Sequence, residues 1–323
     1  MALTYRIDPW ASEYESALQL DDEPDEGRAE VPVRVDVELD EWRLVVPEFA
    51  PLPSPVAFID GVQRIELRVL TDNDGARVFG AFASLGVGAV FAAEGEPRLS
   101  PERPYRALAL SSGASDAPRT VPCGSTSLVF EVQSGPSTGY PGVREALDQY
   151  RRDCEARLGR TLLEQGHPLV IADGRLRFAP AGGSAVGLTK TLHQRYLDAP
   201  RSELLAELRP GTRTPLFEIR YKDALYSWYT RLAEPGPVDH DLAGVVRLET
   251  MASAGIEAAV RLADLTTVHL PRFASSPIWD ARAPQNLYPF AALEQRLRHE
   301  LGDHLWVRRA IEAHIWNEQG GGP

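Results

Sequence analysis

Two apolar runs, each closed by an Asp-Gly step, place the tightest constraint on how this chain can fold. The first is Pro55-Val56-Ala57-Phe58-Ile59-Asp60-Gly61 and the second Pro168-Leu169-Val170-Ile171-Ala172-Asp173-Gly174. A short apolar run with β-branched members predicts a strand buried on both faces. An aspartate at its end projects a carboxylate at the rim of the sheet, and two such carboxylates, far apart in sequence, can meet around a metal ion. The same step also reads as turn chemistry, because Asp tolerates tight turns and Gly supplies positive φ.

The sequence around the two steps bears on that choice. From Val62 to Leu70 polar and apolar residues largely alternate, which predicts a half-exposed strand paired with the first. Asp72-Asn73-Asp74-Gly75 then marks a turn, and the apolar stretch from Val78 to Ala93 continues a β-meander. Ser127 to Val132 predicts a further strand. Gly142 to Gln165 predicts a helix, with Val143, Ala146, Leu147, Tyr150, Cys154, Leu158 and Leu162 recurring at three- and four-residue steps. That helix leads into the second Asp-Gly strand. A meander, a helix and an Asp-bearing strand follow one another in the order of an RNase H-like nuclease core, where acidic groups from a first strand, a helix and a later strand converge on divalent metal. The expected fold class is α/β: an RNase H-like core with a mixed sheet flanked by helices, and a helical C-terminal region.

Hard cations such as Mg²⁺ and Mn²⁺ take oxygen ligands and keep waters for a phosphate substrate. Two ions roughly 4 Å apart can activate a water and stabilise the leaving oxygen of a phosphodiester. Asp60 and Asp173 are the candidate ligands. Lys190, one of only two lysines in the chain, reads either as a point charge for a phosphate or as an ordinary surface residue.

The chain resembles the NurA nucleases, partners of the HerA DNA-translocating ATPase. The resemblance runs from about residue 55 to about residue 305. It lies in the order and spacing of Phe58-Ile59-Asp60-Gly61, a helix carrying Glu155, Val170 to Leu176, Val186-Gly187-Leu188-Thr189-Lys190-Thr191, Gly244 to Glu249, and Pro284 to Pro289. It implies that Asp60 and Asp173 are the two strand aspartates and Glu155 the helical glutamate, all three ligating metal. Lys190 and Tyr288 would be supporting site residues. Glu131 and Glu145 stay open as alternatives to Glu155, which also reads as part of a solvated helix face, since Arg151, Arg152, Asp153, Arg157 and Arg160 surround it. A supporting histidine has no position: Glu294 and Arg296 occupy its neighbourhood and His299 lies beyond. The resemblance further implies a homodimeric deoxyribonuclease using Mn²⁺ (or Mg²⁺), a 5′-to-3′ exonuclease with endonuclease action on single strands left open. Its partners would be DNA and a HerA-like hexameric ATPase, in DNA-end processing, repair or phage defence. Two other readings stand beside it, a catalytically inactive NurA-like adaptor and an unrelated enzyme whose Asp-Gly steps are only turns.

A chain of 323 residues can bury a sizeable core, and one elaborated domain is expected. The expected divisions are 1–54 as an N-terminal extension with an acidic segment, 55–318 as the nuclease domain and 319–323 as a disordered tail. A net charge of −12 argues against coating nucleic acid by bulk electrostatics. The charge is uneven, however, with acid concentrated in Asp21 to Glu26 and Glu38 to Glu48 and arginine in Arg144 to Arg160 and Arg296 to Arg309. The acidic segment reads as a mobile arm or a partner-binding surface. No apolar stretch reaches 18 residues and the N-terminus lacks a basic region followed by an apolar run, so no membrane and a cytoplasmic location are expected. Cys123 and Cys154 read as free thiols. With no G-x-x-x-x-G-K-[ST] match, ATP hydrolysis would fall to a partner. Leu216 to Tyr221 and Ala224 to Leu232 predict a hairpin whose Tyr226, Trp228 and Tyr229 either stack on unpaired bases or sit half-buried in the sheet. A strand at Val245 to Thr250 and helices over Leu204–Leu208, Ala254–Ala263, Leu287–Leu301 and Leu305–Trp316 complete the expected elements.

Overall fold

The computed structural model describes residues 3–7, 31–73, 75–93, 97–101, 104–178, 184–190, 196–237, 239–276, 278, 280 and 282–320. Its strands, in chain order, are β1 (Arg6–Ile7), β2 (Val33–Arg34), β3 (Val56–Asn73), β4 (Ala76–Ala92), β5 (Arg98–Pro101), β6 (Tyr105–Leu110), β7 (Arg119–Cys123), β8 (Thr126–Ser134), β9 (Leu169–Asp173), β10 (Ser184–Thr189), β11 (Phe217–Arg220), β12 (Ala224–Arg231) and β13 (Val245–Met251). The helices are α1 (Gly139–Glu164), α2 (Ala199–Glu207), α3 (Ile256–His269), α4 (Tyr288–Glu300) and α5 (His304–Glu318).

Asp60-Gly61 is not a turn. It lies inside β3, an unbroken strand of 18 residues, and the expected hairpin at this step is corrected to a single strand. The chain reverses instead between Asn73 and Ala76, where Gly75 takes φ +81°. Gly61 serves a close approach rather than a backbone conformation. A Cβ built on it would lie 2.5 Å from Glu155 Oε1 and 3.2 Å from Arg151 Cγ, so its bareness lets α1 lean on the strand. The second step does turn: Gly174 has φ +84° just after β9 and donates its N–H to the Leu188 carbonyl at 2.8 Å.

The strands form one mixed sheet in the order β2-β11-β12-β13-β10-β9-β3-β4-β6-β8-β7, with β1 beside β3 and β5 beside β4. β9 runs parallel to both β3 and β10, while β4 is antiparallel to β3 and β6 is antiparallel to β4. Alternation along β3 explains why both faces of its first half are apolar. Ala57 and Ile59 pack with Cys154, Leu158 and Leu162 of α1, whereas Val56, Phe58 and Val62 pack with Phe290, Leu293 and Leu297 of α4 and with Ala259 and Ala263 of α3. The sheet is therefore covered by α1 on one face and by α3 and α4 on the other. Beyond a bulge at Glu66 the strand enters a second core, where Leu67 and Val69 meet Phe82, Leu108 and Phe130 under Val307, Ile311 and Ile315 of α5.

Described residues ahead of Pro55 contribute strands to the same sheet. β1 pairs with β3 and β2 with β11. The Glu38 carboxylate accepts two guanidinium bonds from buried Arg213, at 2.7 and 2.8 Å, and the Leu216 N–H at 2.7 Å. Part of the second acidic stretch thus has a structural role, while Asp21 to Glu26 lies outside the described residues. So do residues 321–323 of the expected tail, whereas Gln319 caps α5. Trp228 and Tyr229 are 0% and 2% exposed, which rules out base stacking for them and puts them in the core; Tyr226 is half-buried. Cys123 and Cys154 are free and buried. β6 and β7 have no counterpart among the sequence-based expectations. No helix among the described residues is long and apolar enough to cross a membrane.

Candidate metal centre

The alternation that sorts the two cores also aims the carboxylates. Asp60 continues the series Val56, Phe58 on β3, and Asp173 continues Leu169, Ile171 on β9, so both side chains turn toward the face covered by α4. Lys190 continues Val186, Leu188 at the end of β10 and joins them from the same side. Glu294 of α4 completes the group. It lies four residues after Phe290 and three before Leu297, within the helix stripe that packs on the sheet. One carboxylate oxygen from each of Asp60, Asp173 and Glu294 lies within 4.8 Å of the other two.

The electrostatics of this cluster are those of crowded acid. Asp60 is only 5% exposed, and its carboxyl is held well above the usual carboxylate range. Burial is the main cause and the charge of Asp173 the next; Lys190 opposes them, and Glu155 and Glu294 add to the repulsion. The ammonium of Lys190 bonds the Asp173 carboxylate and lies 4.9 Å from the centroid of the Phe290 ring. Glu294 accepts from Arg282 Nη1 at 2.7 Å, and Arg282 also pairs with Asp280 at 3.3 Å. Three oxygen donors from three separate elements, one buried and two half-buried, fit a hard divalent cation, whose charge would relieve the repulsion at Asp60.

Glu155 stands beside this group rather than in it. It approaches β3 from the α1 face at Gly61, and its carboxylate is paired with Arg151 at 2.7 Å. Burial raises its pKa against the pull of Arg151. Neither alternative glutamate joins the site: Glu131 is exposed on β8, and Glu145 is exposed and bonded to Ser137 at 2.8 Å. Tyr288 opens α4, 43% exposed, and His299 is exposed near its far end. Sequence reasoning did not single out Glu294 as a candidate ligand. The available signal was a carboxylate inside the i, i+3, i+4, i+7 stripe Phe290, Leu293, Glu294, Leu297, a position normally apolar.

The exit from β9 is anchored from below. Glu249, fully buried on β13, accepts the Leu176 N–H at 2.8 Å and pairs with Arg247. Gly187 of β10 leaves room for this segment, since a Cβ there would lie 2.6 Å from Leu176 N and 2.8 Å from Gly174 O. Both are backbone atoms that cannot swing aside. Gly187→Ala is therefore expected to destabilise the fold by about 1–3 kcal/mol, the usual cost of overpacking. A urea midpoint equal to that of the wild type would show that the segment yields freely.

No protein-family model matches the chain, and no curated protein matches it. Among solved structures it is similar to the crystal structure of the NurA nuclease from Sulfolobus solfataricus, with 11% sequence identity and a TM-score of 0.45 over 86% of this chain and 88% of that one.

Proposed function

We propose that this chain is a divalent-metal-dependent deoxyribonuclease with an RNase H-like core. The observation that carries the reading is the convergence of Asp60, Asp173 and Glu294 within 4.8 Å beside the Lys190 ammonium. The path of the chain supports the core assignment, since β3, β4 and β6 run antiparallel and lead, after α1, to β9 lying parallel beside β3. Asp60, Asp173 and Glu294 would hold Mn²⁺ or Mg²⁺, which when bound supplies Lewis acidity at a phosphoryl oxygen and an acidified water. Lys190 places a point charge at the edge of the cluster, suited to a non-bridging phosphate oxygen. The Gly61 N–H, donating to Asp60 Oδ1 at 2.7 Å, helps to orient this carboxylate. The 5′-to-3′ polarity, the homodimer and a HerA-like hexameric ATPase partner belong to this proposal through the family resemblance alone.

The test is nucleotide release from end-labelled single- and double-stranded DNA in Mn²⁺, Mg²⁺ or EDTA, for wild type and Asp60→Asn, with and without a HerA-like ATPase. Cleavage that needs both the metal and Asp60 is expected. Its absence under every condition would leave the inactive adaptor as the better reading.

A second measurement needs no activity. A carboxyl whose folded-state pKa is raised holds its proton more tightly in the folded state. Its contribution is favourable below the unfolded pKa, near 3.9, and is lost as pH rises through the raised folded value. In EDTA at neutral pH, Asp60→Asn is therefore expected to be more stable than wild type by about 1–2 kcal/mol, a gain of the size found on relieving a strained functional site. The gap should close toward acid pH. Thermal unfolding of both proteins across the pH range reads it, and a gap that stays constant or widens toward acid would contradict the assigned repulsion.

A further inference from the structure

Glu294 reaches the cluster from α4, but what holds its carboxylate comes from outside that helix. Arg282 Nη1 donates to Glu294 Oε1 at 2.7 Å, while the Arg282 Nε and backbone N–H donate to Asp280 Oδ1 at 3.3 and 2.9 Å. One guanidinium thus spans two carboxylates, Asp280 ahead of α4 and Glu294 within it. Asp280 is held in turn, since its other oxygen, Oδ2, accepts from Asn286 Nδ2 at 2.6 Å. Asn286 is fully buried and its Oδ1 has no partner among the described residues, so the bond to Asp280 sets which way the amide faces. The stems of this segment are pinned together, with the Ser275 N–H donating to the Asn286 carbonyl at 2.8 Å and Ala274 pairing with Leu287 just before α4. The contacts therefore run from a buried amide, through Asp280 and Arg282, to the candidate ligand.

Charge balance alone does not account for the arrangement. Glu294 already has a cation one turn along its own helix, Arg298, whose Nη2 lies 4.0 Å from Glu294 Oε2. That pair is loose and the Arg298 side chain is 66% exposed, so it supplies charge with little direction. Arg282 supplies direction, because a planar fork anchored to Asp280 presents its remaining N–H groups at a fixed angle. Asp280 keeps the charge this requires: burial works against it, but bonds from the Arg282 N–H and Asn286 and the charge of Arg282 hold its carboxyl below the usual range.

We propose that Arg282, braced by Asp280 and Asn286, is a positioning residue that aims the Glu294 carboxylate at a cation shared with Asp60 and Asp173. This rests on the metal-centre reading of those three carboxylates. Removing Arg282 sets two effects of opposite sign against each other. A fixed positive charge repels a nearby divalent ion, so loss of the charge alone would tighten metal binding. Loss of a partner that orients a ligand weakens it, typically by about 10- to 100-fold. The sign of the change therefore separates positioning from charge balance.

The experiment is isothermal titration of Mn²⁺ into the metal-stripped full-length protein. Arg282→Gln is expected to weaken Mn²⁺ binding by about 10- to 100-fold. Arg282→Lys should recover little of the loss, since one ammonium cannot bridge Asp280 and Glu294 as the fork does. Asp280→Ala should weaken binding in the same direction and add nothing in the Arg282→Gln background, the coupling expected of groups that act in series. Arg298→Gln removes an equal charge beside the same carboxylate and should leave the affinity unchanged or tighter. Melting temperatures in EDTA establish folding; the Arg282 side chain is half exposed, so its variants should melt close to wild type. Wild-type or tighter Mn²⁺ binding by Arg282→Gln would overturn the proposal, as would full rescue by Arg282→Lys, additive losses from Arg282→Gln and Asp280→Ala, or an equal loss in Arg298→Gln. Asp60→Asn keeps the two readings apart. If it binds Mn²⁺ as wild type does, the cation is not held by this cluster and the metal centre itself is wrong; if it loses Mn²⁺ while Arg282→Gln keeps it, the centre stands and the positioning role falls.

Discussion

Glu294→Gln is expected to lower metal-dependent DNA cleavage by about 10³-fold, matching the loss from Asp60→Asn or Asp173→Asn. Lewis-acid stabilisation by a bound metal contributes several kcal/mol to a transition state, and about 4 kcal/mol corresponds to that factor. The amide of the variant keeps an oxygen for Arg282 Nη1 but brings no charge to the cluster, so the effect should fall on metal affinity and turnover rather than on folding. Isothermal titration with Mn²⁺ should show weakened binding in the same variant. Glu155→Gln is the informative comparison. Its carboxylate already belongs to Arg151 and reaches the strand from the α1 face, so a loss of less than about tenfold is expected, in line with a residue acting at a distance through electrostatics. If Glu155→Gln silences the enzyme and Glu294→Gln spares it, the centre is built on the other face of the sheet and the assignment of Glu294 is wrong.

The largest expected loss of stability comes from the pair beneath the site. Arg247 and Glu249, both buried on β13, face each other two residues apart, and the guanidinium also donates to Ser227 Oγ at 3.0 Å and Thr189 Oγ1 at 3.2 Å. Arg247→Met would leave the fully buried Glu249 carboxylate without its ion-pair partner, keeping the Leu176 N–H. Removing one partner of such a pair costs about 3–5 kcal/mol, because the remaining charge has lost its counter-ion in a medium that solvates it poorly. The double variant Arg247→Met with Glu249→Leu should recover most of that loss while leaving the Leu176 N–H without an acceptor. Urea denaturation of the single and double variants measures both. Equal stabilities for Arg247→Met and wild type would show that water or another cation reaches Glu249. The consequence for function follows from connectivity, since Leu176 lies three residues beyond Asp173.

How much of this was legible in the sequence depends on which interactions decide each feature. Apolar runs and their periods identified the strands at Val56–Ile59, Leu169–Ala172 and Val245–Thr250 and the long helix ahead of β9, because burial of one face or both imposes the pattern locally. The same runs singled out Asp60 and Asp173, and both lie in the cluster, although Asp60 sits inside β3 rather than at its end. Asp60-Gly61 misled as a turn because Gly has two uses, freedom of φ and absence of a Cβ, and only the approach of α1 shows that the second applies here. β6 and β7 went unseen because their runs are short and interrupted, by Arg106 in one and by Thr120 and Pro122 in the other, and β6 pairs with β4 across an intervening segment.

The sequence by itself determined that two buried apolar runs carry Asp60 and Asp173 and that a long helix precedes the second, since solvent exclusion acts residue by residue along a strand or helix. It offered Glu155, with Glu131 and Glu145 as alternatives, for the third carboxylate and gave Glu294 no such place. The tertiary structure brings Glu294 to within 4.8 Å of Asp60 and Asp173 and pairs Glu155 with Arg151. α4 covers the face toward which alternate residues of β3 and β9 aim Asp60 and Asp173, and α1 covers the other. Which helix lies on which face follows from how the chain crosses the sheet, a property of the whole path that no local period records.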